Sequence, residues 1–186
     1  NDFVPSSSGS ILMDRPFDRG ATASDTSLYF VATFGSSAQN ILGRHLKADQ
    51  GVAGYVYRTG EPYVMNDPAN DPTFYSKFDE GTDFKTDCAI AVPVRIERMV
   101  CGVLELVNRI DGGGYTDRDL QMLEIFARYT SVSIENLLDA QRANEMARRD
   151  DLTGLRNVRG LDEQVDRMIQ RTLPTSDCAL LWLDVD

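Results

Sequence analysis

The chain has 186 residues, 42% of them hydrophobic and 26% charged, which is the composition of one globular core with a small appendage. A formal charge of -10 excludes a partner held by clustered Lys and Arg on a phosphate backbone, so no nucleic acid is expected. No run reaches the ~20 apolar residues of a membrane span, and residues 1–10 lack the basic end and apolar stretch of a signal peptide, so no membrane insertion and a cytoplasmic location are expected.

Ser10–Asp14 reads as a short strand, followed by a polar loop to Asp25. Leu28–Phe34 is a second strand, rich in aromatic and β-branched residues and ended by Gly35. Ser36–Ile41 suits one helical turn and Arg44–Lys47 a short strand. In Gly51–Thr59 the apolar residues Val52, Tyr55 and Val56 fall at i, i+3 and i+4, which predicts a short helix ended by Gly60. Tyr63–Met65 is a brief strand. Residues 66–86 form a long polar connection, of the kind that in compact domains covers a binding site. Cys88–Ile96 and Val100–Val107 make an antiparallel hairpin at the centre of the sheet. Three cysteines, Cys88, Cys101 and Cys178, match no disulfide framework or zinc site, and reduced thiols are expected.

Thr116 or Asp117 caps a helix that meets no Gly or Pro until Gly154 and predicts about 30 residues, or about 45 Å. Leu120, Leu123, Ala127, Thr130, Ile134, Leu137, Gln141 and Asn144 follow steps of three and four, a heptad seam for a parallel dimer. Met122, Ile125, Phe126, Tyr129 and Val132 lie beside that seam and are expected to pack on the sheet. A single amphipathic helix capping its own domain is the other reading. Beyond it come a helix from about Leu161 to Thr172 and an apolar strand from Cys178 to Asp186.

Three segments carry a family resemblance: A-D-Q-G-V-A-G-Y-V-Y-R-T-G-E-P-Y-V-M-N-D at 48–67, I-A-V-P-V at 90–94 and G-V-L-E-L-V-N-R at 102–109. In kind and order they resemble GAF domains. The resemblance implies an α+β fold: an antiparallel sheet of about six strands, terminal helices on one face, a small-molecule pocket on the other, and a long C-terminal signalling helix. The family's first helix would precede Asn1. The likeness is greatest to the subgroup that binds cyclic nucleotides. That subgroup's signature is Asn-Lys, five or more residues, Phe, three residues, Asp-Glu. Here the register reads Asn108-Arg109, Tyr115 and Asp119-Leu120, a motif that in the family braces the fold near the pocket. The same resemblance implies a ligand site of Ser10, Phe34, Val52, Ala53, Tyr75, Asp79, Thr82 and Thr86, taking cAMP or cGMP as a regulatory ligand. The other reading of 66–86 is a solvated loop whose hydroxyls satisfy local turns.

The segment Asp151-Leu-Thr-Gly-Leu-Arg-Asn157 resembles the opening of GGDEF (diguanylate cyclase) domains, and Leu183–Asp186 their first strand, where Asp184 would bind magnesium in an intact domain. The expected organisation is a GAF sensor over 1–138, a long helix over 117–150 whose end is a linker or coiled coil, and a truncated GGDEF start over 151–186. This implies a homodimeric sensor controlling a cyclase, the truncated chain itself being without catalysis. A ligand-free dimerisation module, a sensor of a different small molecule, and a sulfoxide-reducing enzyme of the same family are the alternatives.

Overall fold

The computed structural model describes residues 3–14, 26–35, 41–76, 85–172 and 181. In chain order the elements are β1 (Ser6–Met13), β2 (Ser27–Phe34), β3 (His45–Lys47), α1 (Gly51–Thr59), β4 (Tyr63–Met65), β5 (Ala89–Ile96), β6 (Met99–Arg109), α2 (Asp117–Met146) and α3 (Val158–Thr172). They fall into two compact units, Asn1–Glu135 and Asn136–Asp186.

In the first unit six antiparallel strands form one sheet in the order β3-β2-β1-β6-β5-β4, the α+β architecture that the sequence predicts. Because strand side chains alternate, each strand feeds both faces. The inner face collects Leu12, Leu28, Phe30, Ala89, Ala91 and Val103 under Val52, Ala53 and Val56 of α1. The outer face collects Ile90, Val92 and Leu106 under Leu123 and Ala127 of α2. In β5 this alternation puts the small Ala89 and Ala91 inward and the bulkier Ile90 and Val92 outward, all four of them buried.

α1 has the predicted bounds, and Gly60, in the left-handed conformation at φ 70°, donates its N–H to the Val56 carbonyl at 2.8 Å. At the centre of the sheet, Gly102 of β6 is pressed against β1. A Cβ there would collide with the Leu12 carbonyl oxygen and Met13 Sδ. Since the first obstacle is backbone, only a parting of β1 from β6 would relieve it. Gly102→Ala is therefore expected to cost about 2–3 kcal/mol and to lower the thermal midpoint by about 5–10 °C, read by circular dichroism.

Thr116 caps α2 in a reciprocal arrangement. The Asp119 carboxylate accepts the Thr116 N–H at 2.8 Å and its hydroxyl at 2.7 Å, while the Asp119 N–H donates to Thr116 Oγ1 at 3.3 Å. The faces of this helix differ from the sequence expectation. Leu123 and Ala127, assigned to a dimer seam, are buried on the sheet, whereas Ile125, Phe126, Tyr129 and Val132, expected on the sheet, are exposed. Both stripes are apolar, and the slimmer one, Leu123 and Ala127, packs on Ile90, Val92 and Leu106.

In the second unit the segment after Met146 is a tight turn. Asp150 accepts the Thr153 N–H at 2.9 Å and its hydroxyl at 2.7 Å, and its own N–H donates to the Leu155 carbonyl at 2.8 Å. Asn157 then accepts the Gly160 N–H at 3.0 Å and so caps α3, which explains why that helix begins earlier than its apolar spacing predicts. The expected strand from Cys178 to Asp186, Asp184 included and Leu181 excepted, lies outside the described residues, as do residues 36–40 of the expected turn Ser36–Ile41 and the positions Asp79 and Thr82.

Candidate ligand site on the inner face of the sheet

The inner face is apolar except at one place. Register pairs Ser10 of β1 with Glu105 of β6, and Glu105 in turn with Ala91 of β5; one step along, Ser8 lies opposite Val107. Glu105 thus shares a face with Val103 and Val107, two residues away on either side. Its carboxylate has no hydrogen-bond or ion-pair partner among the described residues, and desolvation pushes its pKa up to about 7. Ser10 is buried, and the Ser8 hydroxyl is buried and unbonded. Burying polar groups without partners costs free energy, and a fold tolerates it where a ligand completes the bonds.

The start of α1 borders this face. Its first intrahelical bond runs from the Gly54 N–H to the Gln50 carbonyl at 3.0 Å, and no side chain caps it. The Val52 and Ala53 N–H groups precede that bond and lack intrahelical acceptors, as helix-start donors do. A side chain built on Gly51 would stand 3.6 Å from Tyr75 Cβ, which brings Tyr75 beside the same helix start.

The structure therefore places Tyr75 beside the helix start that carries Val52 and Ala53, and Ser10 opposite Glu105 on the inner face. It does not bring Phe34 to them. The Phe34 ring lies over Gly9 against Leu106, on the outer face. A β-bulge is the cause: Leu12 pairs with Phe30 but Ile11 with Ala32, leaving Val31 as an extra residue. One inserted residue reverses the alternation, so Thr33, paired with Ser10, takes the inward direction that Phe34 was expected to have.

The residues of the Asn108-Arg109, Tyr115, Asp119 motif bind each other and the chain around them. Asn108, left-handed at φ 57°, accepts the Asp87 N–H at 2.7 Å and donates to the Lys85 carbonyl at 2.6 Å, so it fixes the backbone on both sides of Thr86. Arg109 pairs with Asp119 and Asp111, joining the end of β6 to the start of α2. Burial alone would raise the Asp119 pKa, but hydrogen bonds from Thr116 and the charge of Arg109 lower it below the usual range. The Tyr115 hydroxyl donates to Ser6 Oγ at 2.8 Å, and burial raises its pKa well above the ordinary phenol value.

At the start of the long connection, Asp71 accepts the Thr73 N–H at 2.8 Å, the Thr73 hydroxyl at 2.6 Å and the Tyr63 hydroxyl at 3.0 Å. The local-turn reading therefore fits residues 66–74. On the outer face a half-open groove of about 410 Å³ runs between the sheet and α2. Its one side-chain hydroxyl, Thr130, donates to the Phe126 carbonyl, so among its lining side chains it offers a polar ligand only that hydroxyl's acceptor capacity.

Glu105 and Ser8 were not among the residues singled out from the sequence. The signal was present in G-V-L-E-L-V, where one carboxylate interrupts an apolar strand, but its direction follows only from the pairing with Ser10.

A sequence model of the GAF domain family matches residues 2–135. Residues matching the family thus make up most of the chain, and the protein belongs to the GAF family. Among curated relatives it is 33% identical over 102 residues to a probable 3',5'-cyclic phosphodiesterase, pde-5, of Caenorhabditis elegans. It is 30% identical over 88 residues to the dual 3',5'-cyclic-AMP and -GMP phosphodiesterase 11A of Takifugu rubripes. These alignments cover 54% and 47% of this chain but 14% and 10% of the relatives, so the chain corresponds to a small part of each. Among solved structures, the GAF domain of a phosphoenolpyruvate-protein phosphotransferase from Coxiella burnetii superposes with a TM-score of 0.60 over 74% of this chain and 76% of that one. At 15% identity it shows the shared fold alone. Among the described residues no helix is long and apolar enough to cross a membrane, and no group of three His, Cys, Asp or Glu side chains is placed to hold a metal ion.

Proposed function

We propose that the inner face binds a cyclic nucleotide, cAMP or cGMP, and that this GAF domain is the regulatory part of a protein whose diguanylate cyclase domain begins at residues 151–186. The observation that carries the binding reading is the unpartnered carboxylate of Glu105 beside Ser8 and Ser10 on an otherwise apolar surface. A few placed polar groups among apolar walls are what a ligand pocket uses for orientation. The N–H groups at the start of α1 suit a cyclic phosphate without requiring Lys or Arg. Tyr75 and Thr86 stand on either side of the segment, 77–84, that contains the expected contacts Asp79 and Thr82. The related stretches in two cyclic-nucleotide phosphodiesterases support the ligand class.

An ionised Glu105 accepts hydrogen bonds and donates none. The guanine edge presents two adjacent N–H donors and the adenine edge one, so cGMP is expected to bind more tightly than cAMP above pH 7. Calorimetric titration of ligand-free protein with each nucleotide tests the reading. Heat with at least one of them supports it, and no heat with either removes it.

The regulatory output is proposed to pass through a homodimer of α2. Its seam is the exposed stripe of Phe126, Tyr129, Ser133 and Leu137, spaced by three and four residues, instead of the buried Leu123 and Ala127. Phe126→Glu is expected to convert a dimer to a monomer in sedimentation equilibrium at micromolar protein while leaving the circular dichroism spectrum unchanged. In the proposed cyclase domain Asp184 would hold magnesium.

A further inference from the structure

Two main-chain donors of the β5–β6 hairpin are taken by side chains of α2. The Arg95 N–H donates to Ser131 Oγ at 3.0 Å, and the Glu97 N–H, at the left-handed hairpin tip, donates to Glu135 Oε1 at 2.7 Å. Ser131 also donates to the Ala127 carbonyl at 2.9 Å, so its hydroxyl both accepts and donates a bond. The spacings match. Residues i and i+2 of a strand stand about 6.7 Å apart, and residues i and i+4 of a helix about 6 Å apart along the axis. Two bonds at that pitch fix the helix against the hairpin in one axial register, since a slide of one residue breaks both. Glu135 is also the last residue of the first compact unit.

The same Arg95 reaches the other helix. Its guanidinium donates to the Gly60 carbonyl at 2.7 Å, at the C-terminal end of α1, where cationic groups are favoured by the helix dipole. The start of α1 borders the candidate site. One residue thus holds α1 by its side chain and α2 by its backbone, and the connecting strand β5 carries Ala91, the neighbour of Glu105.

We infer that Arg95 is the positioning residue that transmits occupancy of the inner face to α2: movement of α1 on ligand binding pulls on Arg95 and shifts the register held by Ser131 and Glu135. This rests on the ligand reading above, but the mechanical link between the helices stands apart from it. A ligand shifts such an equilibrium only if it favours one arrangement, and the shared residue supplies the difference in contacts.

Hydrogen–deuterium exchange of the full chain tests both parts. Without ligand, the double variant Ser131→Ala, Glu135→Ala touches only α2, yet amides 57–60 at the end of α1 are expected to exchange at least about threefold faster than in wild type. Unchanged exchange there overturns the link. With saturating cGMP, or cAMP if calorimetry favours it, wild-type amides 128–135 are expected to change protection. Arg95→Met is expected to keep nucleotide affinity within about threefold and to lose that change. An Arg95→Met protein that responds like wild type contradicts the proposal. A wild type that shows no calorimetric heat removes the ligand reading, while the exchange at 57–60 still decides the link.

Discussion

Replacing Glu105 with Gln is expected to stabilise the protein and weaken its ligand binding together. The Glu105 carboxyl titrates at about 7 in the folded chain because it is desolvated, against about 4.3 in an unfolded one. Its raised value means that the folded state is favoured while both forms are protonated, below about pH 4. That advantage is lost as pH rises to about 7, and above it the fold carries the full cost of an unpaired buried charge. Allowing for the partial exposure of the side chain, the cost is on the order of 2 kcal/mol. Glu105→Gln should therefore match wild type in thermal midpoint at pH 4 and exceed it by about 4–8 °C at pH 8. Binding should go the other way. Hydrogen bonds to a charged group contribute about 1.5–3 kcal/mol, which corresponds to a loss of roughly 10- to 100-fold in cyclic-nucleotide affinity at pH 8. A carboxylate that served the fold would show the reverse pattern, with stability falling on substitution and affinity following only through unfolding. Gain of stability with loss of binding is the signature of a group kept for its ligand.

The second large effect concerns the joint between β6 and α2. Asp119→Ala removes the acceptor of the Thr116 N–H and hydroxyl and leaves the half-buried Arg109 without its partner on α2. Loss of a cap costs about 1–2 kcal/mol, and an uncompensated charge adds to it, so a destabilisation of about 3 kcal/mol and a midpoint lower by about 6–12 °C are expected at pH 7. Because the folded Asp119 pKa is lowered, its contribution is present above the unfolded value and lost as pH falls through the folded one. The difference between variant and wild type should therefore shrink under strongly acid conditions. Chemical denaturation at pH 7 and pH 3 measures it. This joint also explains why a motif can differ from its family pattern and still serve: Arg109 and Asp119 keep the charge pair, and Asn108 keeps the bonds that fix the chain at Thr86.

Local structure was legible where local chemistry decides it. Val52 and Val56 with Gly60 predict α1 to the residue, and the absence of Gly and Pro predicts the length of α2. What the sequence did not reveal depends on contacts between elements. Nothing in S-L-Y-F-V-A-T-F marks Val31 as the residue left out of the β1 pairing, yet that one insertion turns Phe34 away from the site and Thr33 towards it. On α2 two apolar stripes compete, and packing on Ile90, Val92 and Leu106, not the heptad spacing, decides that Leu123 and Ala127 are buried. Glu105 is a charge in an apolar run that the sequence reading passed over, and only its pairing with Ser10 and Ala91 shows that it faces the side sheltered by α1. The roles of Ser10, Val52 and Ala53 come from resemblance alone.

A crystal structure of the chain grown with cGMP would test the central claim most directly. The nucleotide is expected on the inner face, a hydrogen-bond donor of the ligand within about 3 Å of Glu105 and the cyclic phosphate at the Val52 and Ala53 N–H groups. Nucleotide bound elsewhere, or an inner face with Ser8, Ser10 and Glu105 bonded to protein groups over a filled interior, would contradict it.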